Sequence, residues 1–282
     1  MPFSARPRAN ALGFKPPLVT RIARTGLGSR LFQDIKRSNR CFRPLMSSYE
    51  QTTSYINVSV IGNLKRAFRA VLLQISRSLE KDQQEELRFY YKELIVKGNT
   101  GVLSILSSLE DAGKISWSDV SFLKEGLREV RRLDLENNLT EYEIKRNLTV
   151  LLHSYSRKRQ GMEPSPQLAP DIADNADKVT GYLLIIMTNI ERHGFDVSKE
   201  VRSLVETRED IENLMLEFED ISDQKLSESW SKLTLLTVIS GEIVADLALA
   251  NEEHRQKQEM KLLSTLTEHL YFLILRLGSW VS

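Results

Sequence analysis

The residues able to do chemistry in this chain are few. Histidines stand at 153, 193, 254 and 269, and the single cysteine is Cys41. A cysteine-based zinc site or a disulfide framework needs several thiols, so both are excluded, and four scattered histidines leave little for a metal cluster. Cys41 lies in a basic N-terminal stretch, which leaves no folded Cys–His pair for nucleophilic catalysis. No G-x-S-x-G elbow, P-loop or H-E-x-x-H occurs. Gly26-Leu27-Gly28 lacks the third glycine and the preceding strand of a dinucleotide loop. Glu253-His254 and Glu268-His269 read as solvated helix positions. The expectation is a protein without catalytic residues, metal ligands or cofactors.

What remains is the chemistry of association, and its candidates need helices to present them. The chain has 282 residues, 41% of them hydrophobic, with 39 Lys+Arg against 38 Asp+Glu. That length suits one large or two modest domains. Only 13 Gly and 8 Pro mark turns, which disfavours an all-β fold. From residue 63 onward apolar residues recur at helical spacing: Leu64, Phe68, Val71, Leu72, Ile75 and Leu79; then Leu87, Tyr90, Tyr91 and Leu94; then Val102, Ile105, Leu106 and Leu109; then Val120, Leu123, Leu127 and Val130. Gly98 and Gly113 punctuate them, and no proline occurs between residues 46 and 163. Ser116, three residues before Asp119, predicts the N-terminal cap of the last stripe. The pattern predicts a compact bundle of short helices over 57–156. Residues 157–175, with Gly161, Pro164, Pro166 and Pro170, read as a linker. Residues 176–282 are helical again. There Leu233–Ile239 carries no charge, which predicts a helix at the centre of a second bundle. No apolar run reaches the ~20 residues of a membrane span.

Charge is unevenly spread. Residues 1–45 hold ten Lys/Arg and one acid, Asp34, for a net +9; the rest of the chain is −8 and is not expected to bind nucleic acid. This Arg-rich, acid-poor leader (1–56 with its extension) fits a mitochondrial transit peptide, and it equally fits a disordered basic tail on a cytoplasmic protein. No secretory apolar region precedes it, so the N-x-S/T triplets at Asn57, Asn138 and Asn147 carry no meaning for glycosylation.

Two residue sets point to partner surfaces. Phe89 lies two positions from Leu87, off the buried stripe, among Glu85, Glu86, Lys92 and Glu93. It is either an exposed contact aromatic or a ring tucked under a neighbouring helix. Arg132 and Asp134 form either a partner-facing surface or a solvated ion pair worth at most about 1 kcal/mol. The run Phe68–Leu79, Glu86–Leu94 and Val102–Leu135, ending on Arg132-Leu133-Asp134-Leu135, resembles the death effector domain family, whose last helix opens on R-x-D-L. The resemblance implies a six-helix bundle that binds similar domains of adaptors and initiator caspases and self-associates. It also implies a charge triad of Arg132 and Asp134 with an acid on the second helix. That acid position aligns with Gln83, and Asp82 or Glu86 beside it can substitute. The family's third helix shrinks here to about residues 96–101. Caspases append an α/β protease, which the helical C-terminal half excludes.

The second half resembles the Bcl family of apoptosis regulators. Trp230, Lys232 and Gly241 match its first homology motif, N-W-G-R followed by an apolar run and a small residue with Gly. Ser229 and Ser231 stand at the Asn and Gly positions, and Lys232 keeps the charge but loses the bidentate fork. The resemblance implies a groove that takes a death-promoting amphipathic helix. Tyr182–Phe195 matches either that family's first helix or its death-promoting helix, and Leu277–Trp280 the start of its second motif. A rival for this half is a death domain or an unassigned helical module, which would make the chain an adaptor linking receptors to initiator caspases. A third expectation is a freestanding regulator that only blocks chain assembly, for which residues 57–156 would suffice. The fold expected is all-α: two helical bundles joined by a Pro-rich linker behind a disordered basic tail.

Overall fold

The computed structural model describes residues 53–95, 101–163, 168–192, 226–248 and 253–276. Among these every regular element is helical: α1 (Thr53–Ser78), α2 (Lys81–Tyr90), α3 (Val102–Asp111), α4 (Ser121–Glu129), α5 (Leu133–Arg159), α6 (Pro170–Arg192), α7 (Leu226–Ala248) and α8 (Glu253–Arg276). The basic leader, Cys41, the short third helix expected at 96–101 (save Gly101, which caps α3) and Leu277–Trp280 lie outside the described residues.

The apolar stripes bury as their spacing requires. Phe68, Leu72 and Ile75 of α1, with Leu79 just past its end, meet Leu87 and Tyr91, Val102, Ile105, Leu106 and Leu109, and Val120, Leu123, Leu127 and Val130. Leu135, Leu139 and Tyr142 of α5 close this first core. Two local expectations are corrected. Tyr90 is 43% exposed rather than part of the stripe, because Tyr91 fills the inward position and Tyr90 packs edge-on against its ring. Ser116 does not cap α4. Its Oγ accepts from the Ser118 and Asp119 amides in a preceding turn, and Asp119 Oδ1 accepts from Ser121 N, 2.9 Å away, at the helix start.

The second core contains Leu233, Leu236, Val238, Ile239, Ile243 and Val244 of α7, with Leu183, Ile186, Met187 and Ile190 of α6 and Leu263, Leu266, Leu270 and Ile274 of α8. It also takes Val60, Ile61 and Leu64 from α1 and Leu148, Val150, Leu151, Leu152 and Tyr155 from α5. Helices α1 and α5 therefore run through both cores. The two cores divide inside α5, between Tyr142 and Leu148. All residues from Val150 to Ser156 are buried, since the second bundle wraps this half of α5 on every side. The charge-free run of α7 does lie at the centre, but it shares that place with α5.

Within 157–175 the described residues are partly helical. Helix α5 continues to Arg159 and stops at Gly161, whose φ of 74° lets the Met162 amide turn back to the Arg157 carbonyl at 2.9 Å. Pro170 then opens α6 at the first helical position, where its missing N–H costs nothing. Leu168 and Ile172 are already buried in the second core.

Candidate protein-interaction site

Arg132 is set in place by the turn before it. Arg131 sits in the left-handed region at φ 57°, and the Arg132 amide bonds back to Leu127 O at 2.8 Å, ending α4 so that α5 starts at once. The guanidinium is then fully engaged. Its Nε and Nη2 donate to the two oxygens of Asp134 at 2.8 and 2.7 Å. Its Nη1 donates to Ser78 O at 2.5 Å and to Gln83 Oε1 at 2.8 Å. One side chain thus fastens the start of α5 to the end of α1 and the first turn of α2. The bidentate bond to Arg132, and secondarily its positive charge, holds the Asp134 carboxyl down at about 2. The Arg132 side chain is 15% exposed and that of Asp134 63%, so the pair is open to a partner on the carboxylate side.

The third member of this cluster is Gln83 itself. Asp82 and Glu86 are both exposed, and Arg132 bonds to neither. Gln83 Oε1 also accepts from Glu80 N at 3.1 Å, so the same atom caps α2 and receives Arg132. With an amide in place of an acid, the cluster is electroneutral. Asp82 and Glu86 belong to a different feature. At positions i and i+4, with Phe89 at i+7, they share one face of α2, with Glu85 alongside. Phe89 ends this acidic ridge, 71% exposed, with Lys92 Nζ 4.9 Å from its ring centre. Tyr90 and, at the start of α3, Leu103 (54%) are also exposed.

In the second bundle the three residues singled out from sequence all lie on α7. The side chains of Trp230 and Lys232 are outside the described residues. Gly241 is buried against the ring of Tyr155, and a Cβ there would overlap that ring. Sequence reading missed the next residue. Glu242 is 4% exposed, and its Oε1 accepts from Tyr155 Oη at 2.7 Å and Arg159 Nε at 2.9 Å. Arg159 reaches Glu191 of α6 as well, at 3.2 Å. Burial, then the nearby carboxylate, pushes the Tyr155 phenol far above its usual range. An acid inside a largely apolar helix stretch was the available signal, because such a charge needs a buried partner.

The cleft where α1, α5 and α8 meet offers little free chemistry. Lys145 is held by Glu141 and Glu268 at 2.7 and 2.6 Å, and Arg146 donates to Ser118 O at 2.7 Å. Among the described residues no group of His, Cys, Asp and Glu is arranged to hold a metal, and no helix is long and apolar enough to cross a membrane.

Residues 68–145 match the family model for the death effector domain. The first bundle has the death effector fold. The limits of the match coincide with the first core, which starts at Phe68 and ends at Tyr142. Death effector domains are interaction domains of death signalling rather than catalytic ones, and this segment is one of them. The parts of α1 and α5 that enter the second core, Val60–Leu64 and Leu148–Tyr155, fall outside the matched death effector segment. Searches of the curated proteins and of the solved structures each returned no match.

Proposed function

We propose that this protein regulates apoptosis purely by association, its death effector domain binding the like domains of adaptors and initiator caspases. The observation that carries the reading is the α2 ridge: Asp82, Glu85 and Glu86 leading to a Phe89 that is 71% exposed. A large aromatic left in water beside charged neighbours is the composition of an interface anchor with its rim. The Arg132–Asp134–Gln83 cluster orders the adjoining ends of α1, α2 and α5 and offers the Asp134 carboxylate outward. Binding of the full chain to a purified death effector adaptor, followed by calorimetry, tests this. Phe89→Ser should weaken association at least about tenfold while the melting curve stays put. Unchanged affinity would remove Phe89, and with it the α2 face, from the interface.

For the second bundle we propose a Bcl-like helix-binding module over a death domain, on the ground of helix length. Its helices α6, α7 and α8 have 23, 23 and 24 residues, against 10, 10 and 9 for α2, α3 and α4 of the death effector bundle. A second death fold would repeat the short lengths. A central apolar helix packed among helices of similar length suits a groove for an amphipathic helix instead. A labelled death-promoting peptide should bind the full chain and be lost in Lys232→Glu; no binding at high micromolar peptide counts against the module. The reading of 57–156 as a sufficient, freestanding regulator has less support. Without the second bundle, Val60, Ile61, Leu64, Leu148, Leu151 and Leu152 would face water.

A further inference from the structure

Every charged residue on the solvent side of α1 is a cation. Its inward arc is Leu64, Phe68, Leu72 and Ile75. On the opposite side Lys65, Arg69, Leu73 and Arg77 follow one another at four-residue steps, with Arg66 and Ala70 between them, and all six are exposed. At about 100° per residue these positions fall within an arc of roughly 140°. No Asp or Glu occurs from Gln51 to Leu79. Among the described residues no ion pair involves Lys65, Arg66, Arg69 or Arg77; Arg66 bonds only to the Asn63 amide oxygen. Like charges three and four apart on one helix face repel, so the arrangement is unfavourable for the isolated fold. Nothing in either core requires it.

The sequence upstream has the same polarity. The first 79 residues together carry fourteen Lys/Arg and two acids, Asp34 and Glu50, leaving the remaining chain at −11. Their basic residues are interleaved with large apolar ones, among them Phe14, Leu18, Ile22, Leu31 and Phe32. On α1 the same mixture recurs, with Leu73, 37% exposed, in the middle of the cations.

We propose that the outer face of α1 docks on an anionic lipid bilayer. Guanidinium and ammonium groups meet the anionic headgroups, and Leu73 among them enters the boundary of the acyl chains. A nucleic acid would use the charges but has no place for Leu73, and an exposed helix flank suits a broad planar surface.

Sedimentation of the full chain with lipid vesicles tests the inference. Phosphatidylcholine vesicles containing about one third phosphatidylserine should bind it at ~0.1 M salt and release it at ~0.5 M, while pure phosphatidylcholine should not bind it. Each cation near such a surface contributes roughly fivefold in partitioning. The quadruple variant Lys65→Gln, Arg66→Gln, Arg69→Gln, Arg77→Gln should therefore lose at least about a hundredfold, with its circular dichroism unchanged. If the quadruple variant does not fold, the four single variants should each lose about fivefold. Equal binding of wild type and variants, equal binding to both vesicle types, or binding to DNA or an acidic protein without binding to vesicles would overturn it.

Discussion

Leu152→Ala tests whether the two cores form one folding unit. Leu152 is 0% exposed in the second core, on the half of α5 that the second bundle surrounds. Removing its side chain there should destabilise the protein by about 3 kcal/mol, through lost apolar burial and the cavity left behind. If α1 and α5 bind the cores together, that loss is felt in the first bundle too, although Leu152 touches none of its core. The readout is amide exchange in α3, which contributes Ile105 and Leu106 to the first core and no residue to the second. Amides there that exchange through global opening should speed up by roughly a hundredfold, the factor that corresponds to about 3 kcal/mol. Fluorescence of Trp117, which packs against both cores, should lose its urea midpoint in step. Unchanged protection in α3 while α7 loses protection would refute the argument and make the bundles independent.

Two further outcomes are expected. His153 is 4% exposed, its Nε2 has no hydrogen-bond partner, and burial, then the charge of Arg157, holds its pKa down at about 4. The unfolded chain takes up the proton near pH 6.5, so stability is level above that value and falls as pH drops toward 4, by up to about 3 kcal/mol. His153→Leu should flatten that part of the curve, measured as the difference in urea midpoints between pH 7.5 and 4.5; an equal slope in both proteins would mean the imidazole is not the titrating group. Gly241→Ala should destabilise by about 1–3 kcal/mol, because the new methyl group meets the Tyr155 ring and Tyr155 is tied to Glu242. A thermal midpoint equal to wild type would show that the ring has room to move.

The sequence and the structure agree where burial is one-sided. The stripes of α1, α3 and α4 read directly as core because each helix has one apolar face and one polar one. Phe89 was readable for the same reason, as an aromatic off the stripe. The second half of α5 was not. His153, Ser154 and Ser156 interrupt its apolar residues, and a helix enclosed on every side has no face for periodicity to find. The cluster around Arg132 was half legible: Arg132 and Asp134 stand in a recognisable motif, whereas Gln83 looks like a vacancy until its capping role on α2 fixes where its amide points. Glu242 was overlooked because its partners, Tyr155 and Arg159, are more than eighty residues away in sequence.

The unbroken stretch of α5 from Tyr142 to Leu148 has an evolutionary corollary. These residues set the rotational phase of one module against the other. Inserting or deleting a single residue there would turn one half by about 100° and shift it by about 1.5 Å, taking every inward side chain beyond the change out of register. The two modules cannot be exchanged as cassettes the way tethered domains can. Lineages that keep both are expected to tolerate length changes between Gly161 and Pro170, and to hold the count between Tyr142 and Leu148 fixed.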